Sequence, residues 1–134
     1  MTGLTERLER QAAVLEWVER TFGHDVAWHP GERLARFVEE ALELAQACGM
    51  EQSDVQSLAA HVYAKPPGRI EREFGGVGIT LLGLAAVYGV HADECEAAEL
   101  ERVLAIDPST FVTRHNAKAK AGIARWATTQ EPRG

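Results

Sequence analysis

Three glutamates within five residues, Glu39, Glu40 and Glu43 in the string RFVEEALELA, are the first groups in this chain whose type and spacing could do chemistry. On a helix, residues three apart are surface neighbours, so Glu40 and Glu43 would share a face within reach of one cation. Mg²⁺ takes hard oxygen ligands, usually one or two carboxylates, and completes its octahedron with water and phosphate oxygens. A solvated helix face has the same pattern, and spacing alone does not separate the two. Glu73 adds a further acid at the entrance to an apolar, glycine-rich segment. Its charge there calls for a cation, for a partner such as Arg69 or Arg72, or for a helix end still in water.

Groups of opposite sign gather late in the chain, in the string Arg114-His115-Asn116-Ala117-Lys118-Ala119-Lys120. Arg114 and Lys118, four apart, would share one helix face, and Asn116 and Lys120 another, so at most one pair would face a site. Trp28 and His29 precede the acidic helix and could stack on a planar base; for Trp28, anchoring the loop is the competing role. Trp17 and Trp126 read as packing residues. Other chemistries lack their motifs. His24, His29, His61, His91 and His115 are scattered, with no H-x-x-x-H pair for zinc. Gly75-Gly76-Val77-Gly78 lacks the Gly-Lys-Ser/Thr of a P-loop, and nothing suggests Ser/His/Asp catalysis.

The elements that carry these residues read as helices between Gly/Pro punctuation. Leu4, Leu8, Ala12, Leu15, Val18 and Phe22 recur at helical steps up to Gly23. His24 to Gly31 reads as a loop, and Glu32 to Cys48 as a helix closed by Gly49. Ser53 with Gln56 has the spacing of a capping box, opening a helix that stops before Lys65-Pro66-Pro67-Gly68. Arg69 to Tyr88 is apolar nearly all round from Phe74 onward. Its period cannot tell buried helix from buried strand, but its length favours helix. Gly75, Gly76, Gly78 and Gly83 each cost that helix about 1 kcal/mol against Ala, tolerable if a neighbouring helix approaches closely. Asp93 with Glu96 opens the next helix to about Ile106. After Asp107-Pro108, Ser109 can cap a last helix to about Trp126. The fold class expected is all-α, a bundle of five to six helices in one domain over residues 1–127, with a frayed tail at 128–134.

Composition narrows the class further. The chain has 134 residues, 46% of them apolar, and a formal charge of −6. Residues 111–134 carry Arg114, Lys118, Lys120, Arg125 and Arg133 against Glu131, a net +4, which leaves −10 on residues 1–110. An acidic body argues against nucleic acid and anionic membranes as partners, yet it suits cations. Two cysteines, Cys48 and Cys95, make no disulfide framework and point to a reducing cytoplasmic setting. The charged N-terminal segment is unlike a signal peptide, and the uncharged run Phe74 to Tyr88 is shorter than the ~20 residues of a membrane span.

Taken together, these residues resemble the MazG-like, all-α NTP pyrophosphatase superfamily over roughly Trp28 to Ile123. The resemblance rests on E-E-x-x-E (Glu39-Glu40-Ala41-Leu42-Glu43), on Glu73-Phe74-Gly75-Gly76 where the family has E-x-x-D, and on the late basic helix. The second motif departs from the pattern, because Gly76 stands where the family has Asp. An ion would then keep an extra water or recruit Asp93, Glu94 or Glu96; alternatively, the fold serves binding only.

The resemblance implies Mg²⁺-dependent (or Mn²⁺-dependent) hydrolysis of a nucleoside triphosphate to a monophosphate and pyrophosphate, in house-cleaning or nucleotide-pool control. It implies metal ligands Glu40, Glu43 and Glu73, with Glu39 orienting or deprotonating water, a role that competes with a surface charge beside Arg36. It implies phosphate contacts from Arg114, Asn116, Lys118 and Lys120 and a base contact from Trp28. It further implies a homodimer or higher homo-oligomer that completes the fold, packing within one subunit being the alternative. Two other readings stay open: a non-catalytic helical module binding nucleotide or a protein, and a nucleic-acid binder using the basic segment.

Overall fold

The computed structural model describes residues 2–122, and side chains from residue 6 onward. The expected helix end at Trp126, the packing role of Trp126 and the tail at 128–134 lie outside the described residues. Within them the chain is all-α, with seven helices and no strand: α1 (Thr2–Phe22), α2 (His24–Ala27), α3 (Pro30–Ala47), α4 (Gln52–Tyr63), α5 (Ile70–Val87), α6 (Ala92–Leu104) and α7 (Pro108–Lys120). No single described helix is long and apolar enough to cross a membrane.

The count exceeds the expected five to six because the segment His24 to Gly31 is not a plain loop. Gly23 takes φ +88°, a left-handed conformation that ends α1, and a single helical turn, α2, follows at once. Pro30 is not a turn residue but the first residue of α3, where its missing N–H costs nothing. The side chain of His29 then stands in for a cap, its Nδ1 accepting from the Glu32 amide at 3.4 Å.

Most helix ends were legible to within a residue or two, and the caps shifted; α7 ends at Lys120, short of the expected Trp126, with Ala121 as C-cap and Gly122 left-handed at φ +75°. At the α3 end, Gly49 (φ +89°) lets its amide reach Gln46 and the Met50 amide reach Ala45, both at 3.0 Å, a Schellman closure. Gly89 closes α5 in the same way through Ala86 and Ala85. The capping box at Ser53 does not form: Glu51 is the N-cap, with no side-chain bond, and Ser53 lies inside α4. Asp107, not Ser109, caps α7, its carboxylate accepting from the Ser109 amide at 2.9 Å, with Pro108 in the first turn. His91 Nδ1 accepts from the Glu94 amide at 3.4 Å at the start of α6.

The chain divides into two compact units. The first takes in the chain up to Glu40 and again from Glu99; the second is Ala41–Ala98. In the first, α1 packs on α2 and α7. Trp17 meets Phe111 edge-on at 5.1 Å and Phe22 at 6.3 Å, so Trp17 is the packing residue its position predicted. Val18 and Ala27 are buried beside them, and Thr21 is buried with its hydroxyl on the Trp17 carbonyl at 2.7 Å.

The second unit has no buried residue in α4 or α5. The Arg69–Tyr88 segment is helical, as its length predicted, and its apolar side chains are open to solvent: Phe74 is 77% exposed, Ile79 72% and Val87 84%. The Tyr88 hydroxyl donates to the Cys48 carbonyl at 3.3 Å, which ties the end of α5 to the end of α3.

Candidate functional site

Helix α3 carries the acidic motif, and its own spacing builds a ladder of charge into it. Glu32, Arg36 and Glu39 follow at four- and three-residue steps, so they stack along one face. Arg36 Nε lies 3.3 Å from Glu32 Oε1, and Arg36 donates through its terminal nitrogen to Glu39 Oε2 at 2.5 Å. The ladder then leaves the helix. Lys118 of α7 places Nζ 2.8 Å from Glu39 Oε1. Glu39 therefore has one oxygen on Arg36 and the other on Lys118, and the late basic helix is brought onto the acidic motif.

The foot of the ladder is buried. Glu32 is fully buried, and His115 of α7 places Nδ1 3.5 Å from its Oε1. Among the described residues neither Glu32 oxygen meets a donor in hydrogen-bonding geometry, Arg33 Nε meets no acceptor, and His115 Nε2 has no hydrogen-bond partner. A buried carboxylate survives there because guanidinium charge surrounds it. Burial lowers the Arg33 pKa, opposed by Glu32. Burial also lowers that of His115, with Arg36, Arg33 and Lys118 adding to the effect and Glu32 opposing it. The Phe22 ring covers the imidazole at 5.2 Å.

The other expected site residues fall in different places. Glu40 and Glu43 are exposed, one turn apart along α3, and the Glu40 charge reaches Arg102 of α6, which also grips Glu99 at 2.5 Å. Glu73 is exposed in the first turns of α5. Its carboxyl lies directly over Gly68, where any β-carbon would collide with it. These three are hard oxygen donors of the kind Mg²⁺ accepts, and the α3 pair has the spacing for one ion. Among the described residues no group of three or more acids, histidines or cysteines gathers on one point. Of the basic pairs, Lys118 is the member that reaches the acidic motif. Arg114 lies 6.0 Å over the Phe111 ring, and Asn116 and Lys120 are exposed. Trp28 is 55% exposed and held through its indole N–H by Glu19 at 3.2 Å.

Sequence reading missed Glu32, Arg33 and His115, and it passed over Glu19 and His24. The Glu32–Arg36–Glu39 steps were present as a signal. The meeting of α7 with α3 left no mark in local spacing. Compared with protein-family models, with curated proteins and with solved structures, the chain matches none.

Proposed function

We propose that this chain is the subunit of a Mg²⁺-dependent nucleoside triphosphate pyrophosphohydrolase of MazG-like type, cleaving the α–β phosphoanhydride to give a monophosphate and pyrophosphate. The observation that carries this reading is the Lys118–Glu39 contact, because it joins the basic helix to the E-E-x-x-E motif. Cations from α7 beside carboxylates from α3 suit a polyanion that arrives with its metal. Glu40 and Glu43, with Glu73 as the resemblance implies, would hold Mg²⁺ (or Mn²⁺), which neutralises triphosphate oxygens. Lys118 exchanges Glu39 for a phosphate oxygen when substrate arrives. That frees one Glu39 oxygen to orient water and take its proton as the water adds across the anhydride. Arg114, on the Lys118 face of α7, would offer a second phosphate contact, and Asn116 and Lys120 fall on the other face.

The apolar surface of α5 supports self-association, since a helix apolar on most sides needs cover. A second copy supplies that cover in this reading.

Incubation with a panel of common and damaged NTPs plus Mg²⁺ or Mn²⁺ tests the activity, with monophosphate and pyrophosphate as readouts. Absence of turnover for every substrate at high protein concentration overturns it. Glu40→Gln should cut kcat by about 100-fold or more, and Gly76→Asp should preserve or raise it. A second reading, a nucleotide-binding module without catalysis, is favoured by Gly76, where the resembled pattern has its fourth ligand. A melting shift with Mg²⁺ and nucleotide but no turnover selects it.

A further inference from the structure

One acid of the first unit is fully buried, and the proposed chemistry gives it no task. Glu32 lies in the first turn of α3. Arg36 Nε stands 3.3 Å from its Oε1, and His115 Nδ1 closes on the same oxygen from α7 at 3.5 Å. Burial pushes the His115 pKa down, so at neutral pH the ring adds no charge beside Glu32. The positive charge comes from the neighbouring Arg33, whose Nε meets no acceptor among the described residues, and from Arg36 at ion-pair distance.

Stability explains this burial poorly. Apolar residues of like volume in place of a buried ion pair often cost nothing or stabilise. A helix start gains from an acid, but an exposed acid supplies the same gain. What a charge supplies here, and an apolar residue does not, is direction. The guanidinium is a planar, rigid fork, so holding its Nε edge at Glu32 sets where its terminal nitrogens point. One of them donates to Glu39 Oε2 at 2.5 Å. Glu39 Oε1 is left to face Lys118 Nζ at 2.8 Å. An exposed pair at this spacing would hold its geometry weakly. Here side-chain exposure grows along the line, from 0% at Glu32 through 20% at Arg36 and 27% at Glu39 to 34% at Lys118. The anchor is buried and the far end meets solvent.

We infer that Glu32 is a positioning residue: through the Arg36 guanidinium it fixes the Glu39 carboxylate with Oε1 turned to Lys118. The inference rests on the pyrophosphohydrolase reading for what Glu39 then does, which is to orient water and take its proton. A base works from a set distance and direction, and a misplacement of about 1 Å can cost on the order of 100-fold in rate. Glu32 itself touches no substrate in this arrangement. Glu32→Gln keeps its volume and removes its charge, so the Nε edge of Arg36 loses its anchor. Arg36→Lys keeps the charge and the α7 contacts, but a single ammonium is not a fork that spans Glu32 and Glu39.

The test reads the full chain in two ways, one of which needs no turnover. The ¹⁵N-labelled side-chain ammonium of Lys118, assigned by its loss in Lys118→Arg, reports the contact with Glu39. Glu39→Gln gives its position when that contact is lost. Glu32→Gln and Arg36→Lys should each move the signal towards that position. In NTP turnover with Mg²⁺ both should lower kcat about tenfold or more and leave KM within about twofold. Should Glu32→Gln not fold, the paired replacement Glu32→Met and Arg36→Met, which leaves Glu32 no charge to strand, takes its place with the same expectations. A Lys118 signal at the wild-type position in these variants overturns the inference, whatever the turnover. So does an unchanged kcat in a wild type that hydrolyses NTPs. A moved signal in a protein that hydrolyses no NTP supports the positioning of Glu39 by Glu32 and removes the hydrolase.

Discussion

Arg36 is the residue on which the charge ladder turns. It stands between a fully buried carboxylate and a half-buried one, and its own side chain is one-fifth exposed. Removing one partner of a buried ion pair strands the other without compensation, at a cost of about 3 kcal/mol. Arg36→Ala should therefore lower unfolding stability by about 3 kcal/mol, read from denaturant midpoints at constant slope. A double replacement of Glu32 and Arg36 by methionine should cost less than Arg36→Ala alone, since the fully buried Glu32 carboxylate is then not left stranded. If the double variant is the weaker, the ladder is not an isolated pair of compensating charges. Part of this was legible beforehand. The steps from Glu32 to Arg36 to Glu39 are ordinary i, i+4 and i, i+3 spacings, and Arg36 beside Glu39 was read from them. Burial of Glu32 was not legible, because it depends on α7 covering that face.

Helix α7 shows what a local signal can and cannot give. Its start was legible as Asp107-Pro108, because proline fits a first turn and aspartate caps it. Its seat was not, because His115 reaches Glu32 across a long stretch of chain. That seat makes α7 sensitive to acid. The folded pKa of His115 lies below its unfolded value near 6.5, chiefly through burial and then through Arg36, Arg33 and Lys118, against Glu32. In the interval between the two values the unfolded chain binds more protons, so stability rises with pH there. The stabilising share is present above the unfolded pKa and is lost as pH falls through the folded one. Melting temperatures should thus fall as the pH is lowered through the unfolded value near 6.5 and below it, and His115→Gln should flatten that slope. An unchanged slope in His115→Gln assigns the acid sensitivity to other groups. The same helix presents Lys118 to Glu39, so acid should weaken the α7 side of the candidate site before the rest of the first unit unfolds.

At the scale of the whole molecule, the apolar character of α5 was legible and its surroundings were not. Helical periodicity tells how much of a helix is apolar, not which molecule covers it. The glycines of α5 give a way to ask. A β-carbon at Gly75, Gly76, Gly78 or Gly83 would meet no atom within 4 Å in this chain. Each therefore forgoes about 1 kcal/mol of helix propensity with no return from close packing inside the chain. In the proposed self-association, close approach of a helix from a second copy would supply the return. Ile70, Phe74, Ile79, Leu82 and Val87 of α5 are each more than half exposed, apolar surface of the kind an interface between copies buries. Gly83→Leu and Phe74→Glu should both shift the protein towards monomer in sedimentation or light scattering, the first by bulk and the second by burying a charge. Gly83→Leu should do so although leucine is the better helix former, an outcome that propensity alone reverses. If both variants sediment as the wild type does, α5 is covered by something other than a second copy. If the wild type itself is a strict monomer at micromolar concentration, self-association through this helix is ruled out.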